Sequence, residues 1–182
     1  MIFKFQQRRK LGMEWINQFD VFFANSANSL LKSAGSFFTP VFKGITIAGN
    51  YGIVFIVIAV ILLIFKKTRK AGILALLAMS FGFIFTNLIL KNVIARPRPF
   101  FDQNSIYYDY WVQAGSLSEK GYSFPSGHAT SAAAFAMGLF LAFNKKWSWS
   151  FLLIPFLMGY TRIYFFVHYA SDIVGGLSVG FS

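Results

Sequence analysis

The chain has 182 residues, of which 56% are hydrophobic and only 13% charged, a balance that excludes an ordinary soluble domain and fits a polytopic membrane protein. A formal net charge of +11 would suit nucleic acid, but the two basic runs, Lys66-Lys67-Thr68-Arg69-Lys70 and Lys145-Lys146, sit in short connections between apolar stretches. That is the placement of cytoplasmic topology signals, so no nucleic-acid partner is expected, and the absence of cysteine excludes disulfide and thiol chemistry.

Residues 1–10 are basic, but the stretch after them is polar and contains acid, so no cleavable signal peptide is expected. Over residues 15–47, apolar positions such as Phe22, Phe23, Leu30, Leu31, Phe38 and Phe42 recur at helical spacing, interrupted by Asp20, Asn25, Asn28, Lys32 and Lys43. Two readings of this region stand side by side. The favoured one makes residues 1–47 an amphipathic helix lying in the membrane interface. The other is an imperfect span through 22–42, which returns the basic N-terminus to the side of the basic loops.

Residues 51–65, 71–90, 129–143 and 147–161 are uncharged apolar stretches. Each approaches the ~20 residues that cross ~30 Å of hydrocarbon, where backbone polar groups must satisfy one another and helices replace open strands. The predicted architecture is all-α: one domain over 1–182, a polytopic transmembrane bundle of five to six helices, with residues 48–182 forming the bundle. Only ten residues follow Asp172, too few to span, so the last helix reads as truncated and the chain as part of a longer one.

With the basic loops cytoplasmic, the helix over 71–90 runs outward and ends at Lys91. Pro97 and Pro99 bar its continuation. Residues 100–124 are then expected to be a loop rich in Tyr, Ser and Gly, a candidate lid or substrate rim. The same topology puts Ser126, Arg162 and His168 at the outer face.

Ionisable groups are costly in such surroundings, and from 147 to 182 the only charged or imidazole side chains are Arg162, His168 and Asp172. Three clusters follow. Lys91 and Arg98, two helical turns apart, could aim both cations at one point or simply snorkel to the interface. In Pro125-Ser126-Gly127-His128, Ser126 is placed to cap a helix, whose first amides also suit an anion, while His128 is open to a structural or a functional role. His168 and Asp172, four apart, would share a helix face, the carboxylate taking Nδ1–H and leaving Nε2 free. Arg162 could close the same pocket or form a buried pair with Asp172. Together these groups make a site for a tetrahedral dianion with a nucleophile and an acid, which is most of what phosphoryl transfer needs.

In order and spacing, Lys91-x6-Arg98-Pro99, Pro125-Ser126-Gly127-His128 and Arg162-x5-His168-x3-Asp172 resemble the three-part signature of the type 2 phosphatidic acid phosphatase family, which includes vanadium haloperoxidases and glucose-6-phosphatases. One departure is Thr161, where the family usually has Ser before the third-motif Arg; the hydroxyl is kept. The resemblance implies that His168 is the nucleophile of a phosphohistidine mechanism, oriented by Asp172. His128 would be the acid and then the base. Lys91, Arg98 and Arg162 would hold the phosphoryl oxygens, with Ser126 and Gly127 completing the cradle. No metal or other cofactor is implied. The implied substrate is a lipid phosphate at the outer face of a bacterial cell membrane: undecaprenyl diphosphate first, phosphatidylglycerol phosphate or phosphatidic acid otherwise. The alternative is a non-catalytic phospholipid-binding or transport protein on the same fold; a soluble haloperoxidase does not suit so apolar a chain.

Overall fold

The computed structural model describes residues 2–143 and 146–182, with side chains from residue 13 onward. Lys145 and the side chains of the basic segment 1–10, both used above for topology, lie outside the described residues.

Among the described residues the fold is entirely helical: α1 Ile2–Ala48, α2 Ile53–Ile64, α3 Arg69–Phe83, α4 Lys91–Ile94, α5 Ile106–Gln113, α6 Gly127–Ala142, α7 Leu153–Tyr164 and α8 Ala170–Phe181. A π-helical turn, Ile84–Leu90, joins α3 to α4 without a break. Arg69–Phe101 is the helical stretch that is long and apolar enough to cross a membrane by itself. The pair Met13–Ala48 and Asn50–Ile64, bent by 47°, passes the same test only together.

Helix α6 lies at the centre because it is built from small side chains. Ala129, Ala132, Ala133, Ala134, Ala136 and Gly138 are buried, which lets α3 and α8 approach backbone to backbone. At Gly138 an added Cβ would lie 2.5 Å from Ala75 Cα on α3, and at Gly180 it would lie 2.5 Å from Thr130 O on α6. The outward faces are the reverse. On α2 only Phe55 and Ala59 are buried, and Ile53, Val57, Ile61 and Ile64 are exposed. An uncovered aliphatic face of this kind belongs against lipid.

Several expectations change in detail. The helix expected to end at Lys91 continues to Ile94 and stops at Ala95, whose left-handed backbone (φ 49°, ψ 37°) turns the chain into the proline element. The stretch expected to be a loop over 100–124 contains α5, whose Tyr110 and Trp111 pack on Phe166 and Phe100. The span expected from 147 opens with a 3₁₀ turn, Ser148–Leu152, before α7.

The N-terminal stretch is helical on both sides of a kink at Ala34, with Pro40 inside its second part. Its Asp20 meets Ser171 at the start of α8, and its Thr46 meets Arg162 at the end of α7. Gly49, just after α1, lies against His128 at the start of α6. Helix α1 therefore lies across the end of the bundle where the sequence motifs gather, with Ala24, Ala27 and Phe42 in the core beneath it.

Candidate active site

The three motifs meet at that end. A cavity of about 450 Å³ is lined by Lys91, Arg98, Gly127, His128 and His168, together with the α1–α2 elbow (Gly49 to Gly52), Phe83 and Asn87 of the α3 stretch, and Ser118 to Lys120. Both imidazoles thus face one space.

His168 is placed by a tight turn rather than by a helix. After Tyr164 the chain folds back through Phe166, held at φ 52° and almost fully buried, with Phe166 N donating to Ile163 O and Val167 N to Arg162 O. A non-glycine residue tolerates that backbone only when packing enforces it. His168 follows in this turn and α8 begins two residues later, which corrects the expectation of a shared helix face. Asp172 reaches the imidazole from the first turn of α8. Its Oδ2 accepts the Tyr169 amide at 2.9 Å as part of a capping box and lies 3.3 Å from His168 Nδ1.

With Nδ1–H given to Asp172, Nε2 carries the lone pair. Arg98 Nη1 donates toward it at 3.2 Å. Arg98 is itself buried and fixed by carbonyls, Nε donating to Gly121 O, Nη1 to Val167 O and Nη2 to Lys120 O. Burial, and after it the Arg98, Arg162 and Lys91 cations, holds the His168 pKa well below its ordinary value.

Helix α6 starts as its sequence predicts. Ser126 is the N-cap, its hydroxyl accepting from Ala129 N, so the side chain expected in the cradle is fully buried and used for capping. Its amide donates to Asp172 O at 3.0 Å, which ties the second motif to the third. Gly127 is close to Lys91, since a Cβ there would lie 3.8 Å from Nζ. His128 Nε2 lies 3.0 Å from Asn50 Oδ1 in the elbow.

Arg162 does not pair with Asp172. It is fully buried, with one terminal nitrogen on Thr46 and the other on Glu119, and its Nε–H has no partner among the described residues. Glu119 also lies 3.5 Å from Arg98. Asp172 pairs instead with Arg96, which is shared with Asp20. Five polar residues around the motifs, Asp20, Thr46, Asn50, Arg96 and Glu119, were not selected from the sequence. Asp20 had a legible sign, an acid on a face otherwise apolar; the others had none.

The model of the PAP2 superfamily matches residues 71–182. The undecaprenyl-diphosphatase of Sulfolobus acidocaldarius is 35% identical over 128 residues, covering 70% of this chain and 58% of that one. Phosphatidylglycerophosphatase B of Bacillus subtilis is 31% identical over 153 residues, covering 77% and 68%. The crystal structure of a transmembrane PAP2-type phosphatidylglycerolphosphate phosphatase from Bacillus subtilis superposes with a TM-score of 0.58 at 27% identity, over 91% of this chain and 89% of that one. The chain spans about half the length of most of the curated relatives it matches. A transmembrane helical bundle, three motifs converging on one cavity and this set of relatives agree: the chain belongs to the PAP2 superfamily.

Proposed function

We propose that the protein hydrolyses a lipid phosphate or diphosphate monoester through a phosphohistidine intermediate, without a metal ion, at the outer face of the membrane. The observation that carries this reading is the single cavity lined by both imidazoles and by Lys91 and Arg98. In the first step His168 Nε2 forms a bond to phosphorus, and the bond to the leaving alcohol or phosphate oxygen breaks as His128 gives that oxygen a proton. In the second, His128 takes a proton from water, whose oxygen displaces Nε2 and releases inorganic phosphate. Asp172 holds Nδ1–H throughout.

Positive charge for the phosphoryl oxygens comes from Lys91 and Arg98, which line the cavity, and from the fully buried Arg162, which does not line it and whose Nε–H has no partner among the described residues. The Gly127 amide at the α6 N-terminus is a further donor in reach of an anion. Undecaprenyl diphosphate is the leading substrate, as the name of the Sulfolobus relative supports, with phosphatidylglycerol phosphate next on the name of the Bacillus relative. The apolar outer faces of α2 and α3 suit a lipid tail.

The test is phosphate release by detergent-purified protein from a panel of lipid phosphates and diphosphates in excess EDTA, beside His168→Ala. Release that survives chelation and disappears in the variant is expected. Loss on chelation would overturn the metal-free mechanism, and full activity in His168→Ala would reassign the nucleophile.

A further inference from the structure

Asp172 has two carboxylate oxygens, and only Oδ2 serves His168 and the Tyr169 amide. Oδ1 accepts from Arg96 Nη1 at 2.7 Å. The same nitrogen lies 2.7 Å from Ser171 Oγ, and Nη2 donates to Asp20 Oδ2 at 2.8 Å. Asp20 in turn accepts the Ser171 amide on Oδ1 at 2.7 Å and the Ser171 hydroxyl on Oδ2 at 2.8 Å. Arg96 Cζ stands 3.9 Å over the Tyr169 ring. The Asp20 and Asp172 side chains are 1% and 0% exposed, and that of Arg96 is 24% exposed.

A buried carboxylate stays ionised only where a cation and hydrogen bonds replace its water. A neutral His168 supplies no such cation, and Arg162 is turned to Glu119. Arg96 does supply it, and its planar fork bridges two carboxylates in a way that a lysine ammonium cannot reproduce. Were Asp172 protonated, it would lose much of its strength as an acceptor for Nδ1–H, and the imidazole would be free to change tautomer.

We propose that Arg96, anchored by Asp20 of α1, is a positioning residue for His168: it keeps Asp172 ionised and turned so that the imidazole presents its Nε2 lone pair to the cavity. The inference rests on the phosphatase reading and extends it to residues that do not line the cavity. It also gives α1, which precedes the region matched to the family, a share in catalysis.

The experiment compares wild type, Arg96→Gln, Arg96→Lys and Asp20→Asn, with ¹⁵N-histidine spectra recorded beside steady-state kinetics. The chain has only two histidines, so His168 and His128 are separately visible. Arg96→Gln should lower kcat on the order of 10–100-fold, as loss of an outer hydrogen-bond partner does elsewhere, with KM within about twofold. Arg96→Lys should recover part of the loss, and Asp20→Asn should show a smaller loss of the same kind. In the spectra His168 should move from a single Nδ1–H tautomer to a mixture while His128 stays in place.

Unchanged kcat with unchanged His168 signals would overturn the proposal. So would a raised KM at constant kcat, which would make Arg96 a substrate ligand. Should Arg96→Gln fail to fold, Asp20→Asn carries the same test. The spectra need no turnover: wild type inert on every lipid phosphate, with the tautomer change still seen in Arg96→Gln, would sink the phosphatase reading alone. Turnover with an indifferent His168 would sink the positioning role alone.

Discussion

Glu119 sets its carboxylate on the Arg162 guanidinium and reaches Arg98 at 3.5 Å, so two of the cations assigned to the phosphoryl group share an internal anion. The strap that carries it lies between Gly115 and Gly121, at φ 97° and 72°, each with nothing among the described residues within 4 Å of where a Cβ would stand. In the proposed phosphatase an incoming phosphate, with more charge and more acceptor oxygens than one carboxylate, would take the place of Glu119 on the arginines. Glu119→Gln should therefore tighten inhibition by vanadate and by inorganic phosphate on the order of tenfold, ~1.4 kcal/mol. Weaker inhibition in that variant would instead make Glu119 a scaffold that holds the arginines in place.

The pH dependence of stability follows from His168. Burial first, and then Arg98, Arg162 and Lys91, depresses its pKa in the folded protein below the ordinary 6.5. The unfolded chain therefore binds more protons at this residue than the folded one below about pH 6.5, and stability falls as the pH drops through that window. Above it the contribution is fully present. Thermal unfolding in detergent should show Tm declining from pH 7.5 to 5.5, with a shallower decline in His168→Phe. Equal slopes in the two proteins would mean that His168 is not buried in its neutral form.

Helix packing next to the site offers a separate test. Gly176 of α8 lies where a Cβ would stand 2.5 Å from Ser126 O and 3.0 Å from Ala129 Cβ, beside the Ser126 amide that donates to Asp172 O. Gly176→Ala must push α8 away from the start of α6, at a cost of about 1–3 kcal/mol, and it should also lower kcat by separating Asp172 from the second motif. Gly44 of α1 has nothing within 4 Å of its Cβ position among the described residues, so Gly44→Ala should be neutral or stabilising by up to ~1 kcal/mol. Equal Tm and kcat for Gly176→Ala and wild type would contradict the close approach.

What was legible in the sequence divides along physical lines. The helices within 51–65, 71–90 and 129–143 were readable because lipid demands continuous apolar runs, although Arg69–Phe101 is the stretch among the described residues long enough to span by itself, and Ser126 was readable as a cap because capping is local. The motif residues were readable because ionisable groups in apolar surroundings are conspicuous. The pairing of His168 with Asp172 was expected for the wrong reason: the four-residue spacing is met by a turn and a capping box rather than by a helix face. The partners of Arg162 and Asp172 could not be read at all. Glu119 and Arg96 lie 43 and 76 positions away from them, and only the folded arrangement of α1 and the 100–124 segment decides which carboxylate meets which guanidinium.

The membrane side of the site rests on the two ends of one helical stretch. The basic run 66–70 lies at the start of Arg69–Phe101, and Lys91 and Arg98 lie near its other end. If the basic run is cytoplasmic, the cavity opens on the opposite face. Because the chain has no cysteine, a single cysteine reports position cleanly. Asn104→Cys, just before α5, should react with a membrane-impermeant maleimide added to whole cells, and Lys67→Cys should react only after permeabilisation. The reverse pattern would turn the cavity toward the cytoplasm, where it would draw on newly made lipid phosphates rather than on those of the outer leaflet. The two labelling patterns therefore decide which pool of lipid phosphates the proposed site would act upon.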